Sequence, residues 1–400
     1  MASMGFNYFP TEVLIIIAGY VYDLETYGDS LTLNRREDGR LKRQSTLFNF
    51  CLVCHQWYSV GIEPLYREPS VANGNRFMKF TKTLCPSTKA RNKTKSDLGS
   101  MVHVLNLGQL VHQSSNSVTA RLLNKASENL VNFTAPRVSF SLNALASLTK
   151  CRSLKYLDLS RVGDSSLSFP QLKKAVSKLA NLRSLSLPIY IPLTQTLPTT
   201  GTWPSSLTRL KIGGRIDPQL MEYFDWPPNV TELVLSNCKN VTVSLINNIL
   251  LNDNFQYSLT DFIVETDCNV DKVDLDESTS VLNDLDALEH IKMPIGLIWS
   301  LLMLEDGMPA LSIRSLILTE TVGPYGVQYP IHHNFCDAVT KSLESGPLSN
   351  LWFFQAPHSF LKHYGVDPIK LDELVTSHLD DVDDKELDEL GTGFGFQVQK

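Results

Sequence analysis

From residue 102 onward the chain repeats one apolar pattern, apolar-x-x-apolar-x-apolar, and this repetition limits its fold more than any other feature. Clear copies are Leu154/Leu157/Leu159, Leu182/Leu185/Leu187, Leu207/Leu210/Ile212 and Val230/Leu233/Leu235. Looser copies are Leu259/Phe262/Val264, Leu288/Ile291/Met293, Ile313/Leu316/Leu318 and Leu348/Leu351/Phe353, and the series opens with Val102/Leu105/Leu107 and Leu130/Phe133/Ala135. The middle positions are separated by 28, 24, 28, 25, 23, 29, 29, 25 and 35 residues. A strand alternates sides, so apolar residues two apart face the same way. One strand with one return segment cannot bury that face by itself, whereas stacked copies bury it continuously. The expectation is therefore α/β: a curved parallel sheet of about ten units over residues 101–358, with return helices such as 169–179 and 240–251 and irregular returns such as 193–203. The long last interval holds an insertion with Pro324, Tyr325, Tyr329 and Pro330. An ordinary α/β domain with leucine-rich strands is the alternative.

Composition narrows the class. With 43% apolar and 20% charged residues the chain is neither a disordered segment nor a collagen. A net charge of −6 argues against bulk nucleic-acid binding, and seven cysteines are too few for a disulfide scaffold. The longest apolar stretches, 13–21 and 293–304, fall short of the ~17–25 residues of a spanning helix. The first residues carry no basic segment ahead of Pro10, and Ala2 rather than glycine follows Met1, so neither a secretory signal nor a myristoyl anchor is expected. The reading is a soluble protein of the cytoplasm, the nucleus or both, with no membrane partner. The sequons at Asn92, Asn132, Asn229 and Asn240 then read as chance. Charge is uneven: residues 1–95 hold 13 Lys/Arg against 8 Asp/Glu, and residues 365–400 hold 3 against 10. The basic stretches 34–43 and 89–95 read as mobile loops, and 379–390 as a solvated acidic helix or tail.

The first hundred residues follow other rules. Pro10-Thr11-Glu12 is a helix-start signal, followed by Val13, Leu14, Ile17 and Val21 at helical spacing. After a polar loop, residues 46–58 are apolar on nearly every side, which predicts a helix covered on two faces. A unit of about sixty residues has too little core to cover both. One face therefore meets something else.

This N-terminal segment resembles the F-box. Phe9-Pro10-Thr11-Glu12-Val13-Leu14-Ile15-Ile16-Ile17 matches its opening helix, with Phe9 where leucine is usual. Leu52-Val53-Cys54-His55-Gln56-Trp57-Tyr58 matches its core, and Pro64-Leu65-Tyr66 its exit. Residues 101–355 resemble the leucine-rich repeats often fused behind an F-box. Their usual asparagine or cysteine is mostly missing, although Asn237 and Cys238 stand near that place. The resemblance implies a three-helix F-box at 6–68 with a polar insertion at 24–44, a basic linker at 69–100, an irregular leucine-rich-repeat solenoid at 101–358 and an acidic tail or cap at 359–400. It further implies a non-catalytic substrate receptor of a Skp–cullin–F-box ubiquitin ligase, without a cofactor. The partners would be a Skp-type adaptor, through it a cullin, and a target protein. The adaptor-binding residues would be Phe9, Pro10, Glu12, Val13, Leu14, Ile17, Leu52, Val53, Cys54, Trp57, Pro64 and Leu65, with Trp57 alternatively internal. A leucine-rich scaffold acting apart from ubiquitin ligation is the second reading.

Outward strand positions supply the expected target surface: Arg209, Lys211, Glu232, Glu265, Lys292, Trp352 and Phe354. The two aromatics stand out there, unless the register of the last repeat slips and makes them core. Other motifs carry less. Cys51-Leu52-Val53-Cys54-His55 matches the haem-attachment spacing, but it sits inside the F-box-like segment, where buried structural thiols are the simpler reading. The remaining cysteines, Cys85, Cys151, Cys238, Cys268 and Cys336, are scattered singly, so no metal cluster is expected. His332, His333, His358 and His363 read as loop histidines, and Gly391, Gly393 and Gly395 as a flexible tail. No phosphate loop, nucleophile elbow or zinc-protease motif occurs.

Overall fold

The structure is a computed structural model. It describes residues 9–23, 33–71, 73–86, 97–110, 116–138, 140–163, 167–193, 201–270, 281–302, 310–320, 335–358, 360, 368–376 and 395–399. The chain is α/β, with parallel strands joined by return helices. It divides into two compact units: Met1–Leu167 with Ala175–Leu182, and Ser168–Lys174 with Arg183–Lys400.

The first unit begins with helices. α1 (Thr11–Asp23) starts where Pro10 allows it, with the Leu14 amide donating to the Pro10 carbonyl. α2 (Leu33–Cys51) and α3 (His55–Arg67) are separate, which corrects the expected single helix at 46–58. The amides of Leu52 and Val53 close the last turn of α2 onto the carbonyls of Asn49 and Phe50, and Cys54 is extended before α3 begins. The two helices cross closely at Gly61, where an added Cβ would lie 2.7 Å from the Phe50 ring and 2.8 Å from the Cys51 sulfur. The inner face of this group is Leu14, Ala18 and Phe50, flanked by Ile17, Trp57 and Val60.

The basic stretch 34–43, expected as a loop, lies within α2. Its sequence has no strong apolar stripe; tertiary ion pairs anchor it instead. Glu68 takes Arg40 at 2.9 Å and Arg43 at 2.6 Å, and the Arg43 guanidinium lies 4.5 Å over the Tyr22 ring. An arginine as buried as Arg43 needs such partners, because an unpaired buried charge is costly. The stretch 69–100, expected as a linker, holds α4 (Gly74–Leu84). Asn73 caps it by accepting from the Arg76 amide at 3.0 Å, and Phe77, Phe80 and Leu84 bury one face. Residues 89–95 and 24–32 lie outside the described residues.

Strand-and-return units follow in the same unit: β1 (Val104–Asn106), α5 (Asn116–Ala126), β2 (Asn132–Thr134), α6 (Leu142–Leu148) and β3 (Tyr156–Asp158). The strands are parallel with Leu105, Phe133 and Leu157 in register, all buried.

The helix at 169–179 is present as α7 (Phe169–Val176), and the division between the units falls within it. The second unit continues the pattern through β4 (Ser184–Ser186), β5 (Arg209–Arg215), α8 (Pro218–Glu222), β6 (Glu232–Lys239), α9 (Val243–Leu250), α10 (Asp253–Gln256), β7 (Asp261–Val264), β8 (His290–Pro294), α11 (Ile295–Leu302), β9 (Ser315–Thr319), α12 (Phe335–Ser345), β10 (Phe353–Pro357) and β11 (Gly395–Gln399). Leu185, Leu210, Leu233, Phe262, Ile291 and Leu316 stand in one register, as the repeat predicts. Beneath them runs an aromatic chain, Phe169–Phe224–Trp226–Phe255, with ring centroids 5.4, 4.8 and 5.1 Å apart.

Two expectations fail at the C-terminal end. Leu316 pairs with Phe354, not Leu351, so the last repeat reads Leu351/Phe354/Ala356 and sits three residues later than the sequence pattern placed it. Gly395, expected in a flexible tail, opens β11, which pairs with β10 and brings Phe396 opposite Phe354. Residues 323–331, 332–333, 363, 379–390, 391 and 393 lie outside the described residues.

An additional ladder holds the repeats in step. The residue before each leading apolar position is often Asn or Ser, and it donates to a carbonyl of the preceding repeat. Asn129 reaches Ser100, Ser153 reaches Glu128 and Asn181 reaches Arg152, at 2.8, 3.0 and 2.9 Å. In the second unit Asn229 reaches Ser205 and Asn350 reaches Leu311, each at 2.8 Å. These bonds satisfy loop carbonyls that a parallel ladder leaves unpaired. β5 bends at Gly213-Gly214, where its register with β6 shifts. Gly214 has φ of 87°, and a Cβ there would lie 2.0 Å from the Ile189 carbonyl oxygen, so only glycine fits.

Candidate protein-docking surfaces

α1 is apolar on two sides. Leu14, Ile17 and Ala18 face inward, with Leu14 at 0% exposure. Val13, Ile16 and Tyr20, at i, i+3 and i+7, form an outer stripe with Ile15 beside it, and Ile16 is 57% exposed. α1 is thus covered on one face and bare on the other, and the 46–58 segment is divided in the same way, with Leu47 and Phe50 in the core and Phe48, Leu52, Val53 and Tyr58 exposed. At the turn between α2 and α3, Leu52 and Val53 stand 67% and 54% exposed. Single exposed apolar residues mean little, but a cluster of this size is a candidate interaction site.

Gln56 ties these pieces together. Its amide nitrogen donates to the Phe9 carbonyl at 2.9 Å and to the Thr11 hydroxyl at 3.3 Å. Phe9 thereby reaches the start of α3, with its ring edge-on to Trp57 at 6.2 Å. Trp57 is half-buried and packs on Phe50 at 4.5 Å, so it supports this surface from beneath. Among the residues expected at an adaptor face, Phe9, Pro10, Glu12, Val13, Leu52, Val53 and Cys54 are exposed. Ile17, Trp57, Pro64 and Leu65 are half-buried, and Leu14 is core. The sequence reading missed Gln56, Ile16 and Tyr20; the i, i+3, i+7 spacing of Val13, Ile16 and Tyr20 was the available signal.

In the haem-like motif Cys51 is buried, with its thiol pushed up by burial, while Cys54 is exposed beyond the helix end. The two do not share a face. Cys238 and Cys268 are not scattered singly in space. The Cys238 amide meets the Cys268 sulfur at 3.5 Å, and the Cys268 thiol donates to the Leu235 carbonyl at 3.4 Å. Hydrogen bonding to Cys268, then burial, pushes the Cys238 thiol up. A buried thiol raised in this way is a poor nucleophile. Among the described residues no group of His, Cys, Asp and Glu could hold a metal ion.

The strand face of the second unit is largely charge-paired. Arg209 meets Glu232 at 3.1 Å across β5 and β6, and Lys292 meets Glu265 at 3.3 Å. Burial raises the Glu232 pKa, while the neighbouring Arg209 opposes the shift. Lys211 is half-buried on β5. Trp352 is half-buried, with the Arg314 guanidinium 4.8 Å over its ring. Phe354 contradicts its expected outward place: it is 0% exposed and packs against Phe360 and Phe396. The register shift of the last repeat is the cause, because it moves Phe354 onto the leucine position.

No family model matches the chain. F-box protein YDR306C of Saccharomyces cerevisiae is 30% identical over 227 residues, covering 56% of this chain and 46% of that protein. Protein pof5 of Schizosaccharomyces pombe is 26% identical over 190 residues, covering 48% of this chain and 51% of that protein. The chain spans about half the length of these curated relatives. A chain of the crystal structure of the Rad7 and Elc1 complex in yeast aligns over 80% of this chain and 91% of its own length, at 13% identity. Its TM-score of 0.34 is too low to support a shared fold. The two sequence likenesses support an F-box-type protein.

Proposed function

We propose that this chain is the substrate-recognition subunit of a Skp–cullin–F-box ubiquitin ligase, working in the cytoplasm or nucleus without catalysing a reaction itself. Its N-terminal helices bind a Skp-type adaptor, and through it a cullin. Its leucine-rich repeats hold a protein destined for ubiquitination. The observation that carries this reading is the exposed apolar surface of α1 and the α2–α3 turn, in a chain similar to an F-box protein. Burying one such side chain is worth about 1.5–3 kcal/mol when complete. A partner covering Val13, Ile16, Leu52 and Val53 therefore gains several kcal/mol, enough to anchor an interface of roughly 800 Å² per partner. Among the described residues no helix is long and apolar enough to cross a membrane, so a bilayer-spanning role does not compete for these apolar side chains. The target surface is the strand face bearing Arg209, Lys211, Glu232, Glu265, Lys292 and Trp352, with Trp352 as its aromatic anchor. Its paired charges favour selectivity over raw affinity.

The test is co-purification of adaptor and cullin with the tagged full-length chain. Ile16→Asp combined with Val53→Asp should abolish capture while the circular dichroism spectrum stays unchanged. Capture undiminished in a folded double variant would overturn the proposal.

A further inference from the structure

A groove of about 460 Å³ opens between α2, α3 and α4. Its volume lies in the range of small ligand sites, roughly 300–1,000 Å³. The floor is apolar: Phe80, with Tyr66 stacked on it at 6.4 Å, and Val71 beside them. Phe48 forms one wall and stays 53% exposed, although it lies on the helix whose Leu47 and Phe50 are core. The groove shares only Leu65 with the residues expected to face an adaptor.

Its charge is one-sided. Arg76 and Lys79 line it, and no carboxylate does. This contrasts with Arg40 and Arg43 on α2, which Glu68 neutralises. Among the described residues no acid pairs with Arg76 or Lys79, and both are exposed. The walls are also held in place before any occupant arrives. Asn73 caps α4, and the Ser70 amide donates to the Gln44 side chain at 3.0 Å. A preformed groove lowers the entropic cost of binding.

Geometry limits the occupant. On α2 the lining runs from Leu41 to Phe48 and on α4 from Arg76 to Thr83. Seven helical steps span about 10 Å, room for about three residues of extended peptide at roughly 3.3 Å each. The Phe80 floor and Phe48 wall suit an apolar side chain, and Arg76 and Lys79 in the same lining suit a carboxylate beside it, where charge-assisted hydrogen bonds add strength.

We propose that the groove between α2, α3 and α4 is a second docking surface, whose occupant is a short acidic peptide segment of a partner protein carrying an apolar side chain. Apart from Leu65 it uses none of the residues expected to bind an adaptor and none of the strand face, and it does not rest on the proposed function.

The experiment is fluorescence anisotropy with the full chain and three labelled seven-residue peptides. One places Phe and Leu between Glu and Asp residues. The second replaces every acid by Lys, and the third replaces Phe and Leu by Gly. The acidic–apolar peptide should bind saturably, at least tenfold more tightly than either control, and weaken as salt rises. Arg76→Glu with Lys79→Glu should reduce its affinity at least tenfold, as should Phe48→Ala, while adaptor co-purification and circular dichroism stay unchanged. Equal binding of the lysine peptide, no saturable binding at all, or unchanged affinity in the charge-reversed variant would overturn the proposal. So would charge-dependent binding to phosphatidylserine vesicles without peptide binding.

Discussion

The N-terminal helices and the strands of the second unit use apolar residues in opposite ways. In β5 to β9 every leucine-position side chain is buried, and the residues between them are polar or partly covered, except the buried Val234. In α1 the apolar residues continue past the buried stripe onto the outer face, where Ile15, Ile16 and Tyr20 meet solvent. The difference follows from repetition. A strand in a stack always has a neighbouring copy to bury its side chains, so apolar content is matched by surface to cover it. A three-helix group has no next copy, and what it cannot bury internally stays exposed.

Four experiments can break or sharpen this contrast, beginning with the largest effect. Phe354→Ala should cost about 3–5 kcal/mol in urea unfolding, as an aromatic lost from a full core does. Trp352→Ala, two residues away, should cost less than about 1 kcal/mol, because its ring is half-buried under Arg314. Similar losses for both would mean that the strand face is not a free surface.

Within α1, Leu14→Ala should destabilise by roughly 2–5 kcal/mol, whereas Ile16→Ala should change stability by less than about 0.5 kcal/mol and lower adaptor capture instead. If the Ile16 variant loses stability as Leu14 does, the outer stripe is a hidden core and the contrast collapses.

The Asn ladder should matter less than the leucines. Asn229→Ala removes the bond to the Ser205 carbonyl and should cost about 0.5–1.5 kcal/mol. Hydrogen exchange should locate the loosening at residues 205–230. A loss as large as that of Phe354→Ala would make hydrogen bonds, not apolar burial, the main tie between repeats.

The smallest effect concerns pH. The Glu232 pKa is raised in the folded protein, chiefly by burial. The native state then holds this proton to a higher pH than the unfolded chain, so the contribution of Glu232 to stability falls as pH rises from the ordinary carboxylate value through the folded one. Glu232→Gln should flatten that segment of the stability–pH curve, measured by thermal unfolding across it. A steeper decline in the variant would reverse the sign and show that Arg209 outweighs burial.

Much of the repeat array was legible in the sequence. The middle positions from Leu105 to Leu316 were readable because each sits on a strand that tolerates only apolar residues inside. The last repeat was not, because Leu348, Leu351 and Phe354 offer apolar side chains at several spacings and only pairing with β9 and β11 selects one. The helix at 34–43 was hidden for a different reason. Its stabilising partners, Glu68 and Tyr22, lie elsewhere in the chain and leave no periodic trace.

The docking surface was half legible. The segments 9–17 and 52–58 were visible as a constellation, but which side chains face outward depends on how three helices cross. Gly61 sets one of those crossings, and Gln56 fixes Phe9 against α3. By itself, the sequence determined the strand period and the start of α1, because hydrophobic spacing and proline act locally. Only the tertiary structure decided the break at Leu52–Cys54, the core place of Phe354, the contact between the free cysteines Cys238 and Cys268 and the groove beside α4. Each of those depends on contacts between residues distant in the chain, whose energies no local pattern records.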